Sequence, residues 1–116
     1  MVRVKSRYIV VKLLLEEGRG MPSMDVLGSV IKSRVEIDYG RHVLSMVGNL
    51  GIVEYLPHSQ IVVIRCDAPV CKYVLFTITT IGEISGFKCS MSVLWVSGIL
   101  KRAMRKILKY VRMEKR

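Results

Sequence analysis

The sequence predicts an α+β fold, a ferredoxin-like βαββαβ sandwich with an antiparallel sheet and an added basic C-terminal helix. Three observations carry this expectation. Segments of strand and helix length follow one another in the order strand, helix, strand, strand, helix, strand. The most continuously apolar runs, RYIVVKLLL (Arg7 to Leu15) and IVVIRC (Ile61 to Cys66), are the first and third strands of that order. Those are the strands this topology places in mid-sheet, buried on both faces. Finally, the segment from Ser97 to Arg116 separates apolar from basic residues around a helical wheel.

Residues 1–6 read as a basic lead-in and Arg7 to Leu15 as a β-branched first strand. After the EEGRGMP turn, Ser23 is placed to cap a helix from Met24 to about Tyr39, with Gly40 as its stop. Its apolar residues form two groups, Met24, Leu27, Ile31, Val35 and Tyr39, and beside them Val26, Val30 and Ile37. That stripe is wider than one sheet covers. Residues 41–51, interrupted by Gly48, Asn49 and Gly51, receive no element. A strand from about Ile52 to Leu56 then turns through PHSQ into the strand Ile61 to Cys66. Asp67 and Pro69 open a second helix to about Ile81, with Val70, Val74, Leu75, Ile78 and Ile81 inward and Tyr73 and Phe76 on the outer arc. Past GEISG, Phe87, Cys89, Met91, Val93 and Trp95 alternate with Lys88, Ser90 and Ser92, the pattern of a half-buried strand.

The 116 residues have the length of one domain, residues 1–116, with one modest core. A net charge of +10 and a pI near 9.9 favour polyanions, nucleic acid or anionic lipid, over acidic small molecules. Hydrophobic residues make up 51% of a chain that also carries nineteen Lys and Arg, which leaves apolar surface suited to a protein partner. No stretch reaches the roughly 20 apolar residues that span a bilayer, so a soluble, cytoplasmic protein is expected.

In the C-terminal helix Ile99, Leu100, Ala103, Met104, Ile107, Leu108, Tyr110 and Val111 share about half the wheel. Lys101, Arg102, Arg105, Lys106, Lys109, Arg112 and Arg116 fill most of the rest, with only Glu114 to neutralise them. Such an arc suits phosphates, joined by Arg3, Lys5 and Arg7 of the lead-in and by Arg65. Ser97 and Gly98 open the helix and expose backbone N–H groups at the positive end of its dipole. Base stacking on the sheet is not expected, because the central strands offer only Tyr8, so structured RNA held by shape is the ligand class. A membrane-surface helix competes for the same wheel. Against it, the segment follows a strand with almost no linker and lacks a Trp or Phe anchor, so no membrane partner is expected.

Catalytic chemistry finds little support. The acids sit at turns, caps and helix surfaces without a paired-carboxylate metal site. GRG at Gly18 to Gly20 lacks the Lys-Ser/Thr of a phosphate loop. His42 and His58 read as loop residues rather than an acid–base pair. Cys66, Cys71 and Cys89 lack metal-ligand spacing and read as small core hydrophobes. No catalytic residue, metal site or bound cofactor is expected in the chain itself.

Four ordered segments resemble the archaeal and eukaryotic ribonuclease P protein component 2 family: VRVKSRYIVVKLL near the start, IRCD at Ile64 to Asp67, EISG at Glu83 to Gly86 and VSGILKRAMRKIL at Val96 to Leu108. The resemblance covers residues 2–14 and the chain from about Gln60 onward. Between Gly18 and Ser59 only the helix-then-glycine pattern aligns. It implies a small α/β sandwich like an RNA-recognition domain, in a ribonucleoprotein that removes 5′ leaders from precursor tRNA. Catalysis there belongs to the RNA and magnesium. Implied partners are ribonuclease P RNA, ribonuclease P protein component 3 and, through the holoenzyme, precursor tRNA, with a homodimer or hetero-tetramer left open. Arg7, Tyr8, Arg65, Ser97, Gly98, Lys101 and Arg102 carry over as motif positions. Where the family reads Ser-Gly-Thr, this chain has Ser97-Gly98-Ile99, so one hydroxyl donor is missing.

The function expected is therefore a non-catalytic ribonuclease P subunit. Tyr73, Phe76, Val26, Val30 and Ile37 are the candidate protein-partner residues. Two alternatives stand beside it: a general protein-interaction module, and another structured-RNA binder of ribosomal type without a role in tRNA processing.

Overall fold

Alternation of β-branched residues at the two centremost strands sets the architecture. The computed structural model describes residues 5–16, 20, 22–46, 50–84 and 86–114, with backbone alone at 41–46 and 114. Its elements are β1 (Ser6–Leu15), α1 (Met24–Met46), β2 (Gly51–Leu56), β3 (Ile61–Asp67), α2 (Cys71–Thr80), β4 (Glu83–Ile84), β5 (Phe87–Ser97) and α3 (Leu100–Glu114). The sheet order is β2-β3-β1-β5-β4, every pairing antiparallel. Without the two-residue β4, this is the order expected of a ferredoxin-like sandwich, β1 and β3 in the middle.

Period two decides which face each residue meets. Ile9, Val11 and Leu13 of β1 and Val62, Ile64 and Cys66 of β3 pack with Leu27, Ile31 and Val35 of α1 and Val74 and Ile78 of α2. Their neighbours Val10, Ile61 and Val63 point the other way and meet Ala103 and Ile107 of α3. The sheet is thus sandwiched between the α1–α2 pair and α3.

Several boundaries differ from the sequence expectation for identifiable reasons. Ser23 does cap α1, its Oγ accepting from Val26 N–H at 3.3 Å. Gly40 ends the regular turn through a positive φ of 85°, yet helical backbone resumes beyond it to Met46. Asp67 makes no capping bond; α2 is entered through a single 3₁₀ turn, Ala68–Val70, with Pro69 inside it. GEISG holds the short strand β4, paired back to Phe87 and Lys88. In β5, Val10 pairs with Trp95 and Val11 with Val93, so Leu94 is an extra residue. This bulge reverses the alternation, and Trp95 joins Leu94 on the α3 face rather than sharing a face with Met91.

Candidate nucleic-acid interface

The interface is built on α3, where no Gly or Pro interrupts LKRAMRKILKYVRME and apolar residues recur at helical spacing. Ile99 supplies the first carbonyl, accepting from Ala103 N–H at 3.2 Å. Ser97 Oγ folds back on Ile99, accepting from its N–H at 3.2 Å and donating to its carbonyl at 2.9 Å. The Ser97 hydroxyl is therefore spent on the turn that starts the helix.

Docking of one side fixes where the charges go. Ala103 and Ile107 are fully buried, with Leu100, Met104, Tyr110 and Val111 half-buried around them. Lys101, Arg102, Arg105, Lys106, Lys109 and Arg112 are all exposed on the remaining arc. Two residues assigned to the apolar half by the wheel lie outside the seam: Leu108 is 59% exposed and Ile99 49%. They border the cationic arc instead of docking. Arg116 and Arg3 lie outside the described residues.

The sheet end beside the start of α3 carries the other expected cations. Tyr8 pairs with Ser97 on one side and Arg65 on the other, which lines the three up across β5, β1 and β3. Arg65 is exposed and donates from Nε to Ser6 Oγ at 3.2 Å. Half-buried Arg7 donates from Nη1 to the Ser6 carbonyl at 3.1 Å, its guanidinium against Gly98. Lys5 is exposed, and its carbonyl holds Ala68 N–H at 2.8 Å. Arg7, Arg65, Ser97, Gly98 and the first cations of α3 thus gather at one end of the molecule.

The sheet face under α3 is closed. Tyr8, Leu94 and Trp95 pack against the helix, Trp95 edge-on to Tyr110 at 6.2 Å between ring centroids. Trp95 Nε1 is buried with no hydrogen-bond acceptor among the described residues. Lys12, flanked by apolar residues in β1, belongs to this seam. Its Nζ donates to the Ser59 carbonyl at 2.9 Å and lies 5.6 Å from the Tyr110 centroid. A single Lys in the middle of a central strand was the available signal.

On the opposite side the five candidate partner residues separate. Tyr73 is half-buried and edge-on to Tyr39 at 4.9 Å, tying α2 to α1, and Val30 packs on the core. Phe76, Ile37 and Val26 remain exposed, at 57%, 73% and 37%. Ile37 lines an open groove of about 770 Å³ with Val30, Ile81 and Cys89, flanked by Arg34 and Lys88. Inside that side, Asp38 accepts from the buried Thr77 hydroxyl at 3.4 Å and pairs with Arg34 Nε at 3.5 Å.

Burial holds two of the three thiols in their protonated form. Burial, then neighbouring Cys71 and Asp67, push the Cys66 thiol up to about 12 against a lowering from Arg7. Burial and Glu83 raise Cys89. Cys66, Cys71 and Cys89 are all free. Among the described residues no group of three or more His, Cys, Asp or Glu is placed to hold a metal ion. Nor is any helix among them long and apolar enough to cross a membrane.

Comparison with known proteins places this geometry in context. Residues 7–108 match the family described as Rpp14/Pop5. Ribonuclease P protein component 2 of Pyrococcus furiosus is 29% identical over 114 residues, and that of Pyrococcus horikoshii 25%, each alignment covering 92% of this chain and 86% of the relative. A chain of the cryo-EM structure of yeast ribonuclease MRP shares the fold, with a TM-score of 0.67 at 11% identity, over 98% of this chain and 96% of that one.

Proposed function

The chain belongs to the Rpp14/Pop5 family, and from that premise we propose that it is a non-catalytic subunit of ribonuclease P. In this reading it grips the catalytic RNA through phosphates and supports removal of 5′ leaders from precursor tRNA, with magnesium serving the RNA. The observation that carries it is α3: six exposed cations on a helix whose apolar side is already taken by the sheet. A helix docked this way has its charges held in register before RNA arrives, which reduces the ordering cost of binding. The names of the two archaeal relatives and the shared fold support the same assignment.

The exposed Phe76, Ile37 and Val26 on the far side support a simultaneous protein partner of the component 3 type, because α3 and the α1–α2 pair occupy opposite faces of the sheet. RNA and protein would then be engaged without competition.

The deciding experiment replaces Lys101, Arg102, Arg105 and Lys109 together with Ala. Affinity for in vitro transcribed ribonuclease P RNA should drop, and the slope of log K against log salt should flatten by up to about one unit per lost phosphate contact. Unchanged affinity and slope would refute the reading. Reconstituted leader cleavage, with and without the variant, tests the role in the holoenzyme.

A further inference from the structure

We propose that Gly98 is a positioning residue for Arg7, its missing side chain being the slot in which the Arg7 guanidinium is held against the start of α3. This rests on the reading of the cationic surface as an RNA-phosphate contact and adds a specific device to it. The observation is steric. A Cβ built on Gly98 would lie 3.3 Å from Arg7 Nη1 and 4.0 Å from Cζ. At Gly20, Gly28, Gly40, Gly51, Gly82 and Gly86 the same construction meets nothing within 4 Å. Gly98 is also not needed for its backbone: among the described glycines, only Gly40 and Gly86 adopt a positive φ. What singles out Gly98 is the side chain lying over it.

Arg7 is tied down at the atom concerned. The atom that meets the added carbon, Nη1, is the one that donates to the Ser6 carbonyl at 3.1 Å, and the side chain is half-buried. An added methyl therefore asks the guanidinium to move by a few tenths of an ångström, which lengthens that bond or turns the group outward. The charge does not serve α3 itself, since a cation beside the first turn of a helix opposes the dipole. A guanidinium held there makes sense as a phosphate fork, continuing the arc of Lys101 and Arg102 onto the sheet end toward Arg65. Gly98, rather than contributing only N–H groups at the helix start, sets the position of that fork.

The proposal distinguishes arginine from lysine. A lysine at position 7 ends its chain near where Cζ sits, at ordinary contact distance from the added carbon, and should be indifferent to it.

The test measures binding of ribonuclease P RNA by the full chain across a salt series, for Arg7→Ala, Gly98→Ala, Arg7→Ala with Gly98→Ala, Arg7→Lys, and Arg7→Lys with Gly98→Ala. Thermal melts by circular dichroism confirm that each variant is folded. Arg7→Ala should weaken binding about tenfold, the scale of one charge-assisted bond, and lower the salt slope by roughly 0.7–0.9. Gly98→Ala should reproduce part of the affinity loss, add nothing to Arg7→Ala, and cost nothing on the Arg7→Lys background. Wild-type binding by Gly98→Ala, additivity with Arg7→Ala, or an equal loss on the lysine background would each overturn the proposal. So would a neutral Arg7→Ala. If the replacements on α3 are neutral as well, the RNA-binding reading itself falls; if they weaken binding, only the positioning role does.

Discussion

The two faces of the sheet are built to different depths. On the α1–α2 side, three residues each from β1 and β3 are sealed by two helices, with Leu27, Ile31, Val35, Val74 and Ile78 all at 2% exposure or less. On the α3 side, Val10, Ile61 and Val63 are covered by one helix through two fully buried residues, Ala103 and Ile107. That thinner seam also contains Lys12 and a Trp95 Nε1 without an acceptor among the described residues. The difference teaches a division of labour: one face supplies the stability of the domain, and the other spends modest burial on holding charges outward.

The largest effect should come from the deep face. Ile64→Ala, a cavity in a central strand between both helices, should cost about 3–4 kcal/mol and lower the midpoint of a single cooperative denaturant transition. A loss below 1 kcal/mol would mean the two faces are equal in weight, and the comparison would break.

On the thin face Ile107→Ala should cost less, about 2 kcal/mol, and act locally. All six cations remain, yet RNA affinity should fall because α3 no longer holds them in register. Trp95, the chain's single tryptophan, reports the event directly: its emission should shift to the red as the seam opens, while amide protection in α1 and α2 is retained. Global unfolding with simultaneous loss of protection on both sides would instead make α3 part of the main cooperative unit.

Much of this division was legible in the sequence, for physical reasons that can be named. The predominantly apolar runs of β1 and β3 announce burial on both faces, and the wheel of the last helix separates docked from displayed residues at Ala103, Ile107 and the six cations. Three things were not legible. The side of the sheet that α3 covers depends on the path of the chain after Ser97, which local pattern does not encode. The bulge at Leu94 arises from pairing with Val10 and Val11, and its only trace is the uninterrupted apolar VLWV at Val93 to Val96. The closeness of Arg7 to Gly98 joins residues ninety-one positions apart, so each could be recognised as a motif position without the reason that links them.

A smaller effect belongs to the tie between α1 and α2. Thr77→Val removes the buried hydroxyl that donates to Asp38 and leaves the carboxylate its pairing with Arg34. A loss of about 1 kcal/mol is expected with RNA affinity unchanged, since the site lies on the opposite face from α3. Weakened RNA binding at unchanged stability would show that the faces communicate.

At neutral pH the smallest effect of all is expected from Cys66, and only alkaline titration should expose it. Burial keeps its thiol protonated up to about 12, whereas the unfolded chain ionises near the ordinary value of 9.0. Below 9 both states hold the proton and Cys66 adds no pH dependence. Between 9 and 12 the unfolded state binds fewer protons, so stability declines with rising pH until the folded thiol also ionises. Cys66→Ala should remove its part of that decline, leaving the part due to Cys89, while changing the neutral-pH midpoint only by its small cavity. Because Cys66 faces the α1–α2 side, the alkaline transition should abolish amide protection there, and Trp95 emission should shift only in step with that loss. An earlier shift at Trp95 would place the alkaline weak point in the α3 seam, where the charge is carried by groups other than Cys66.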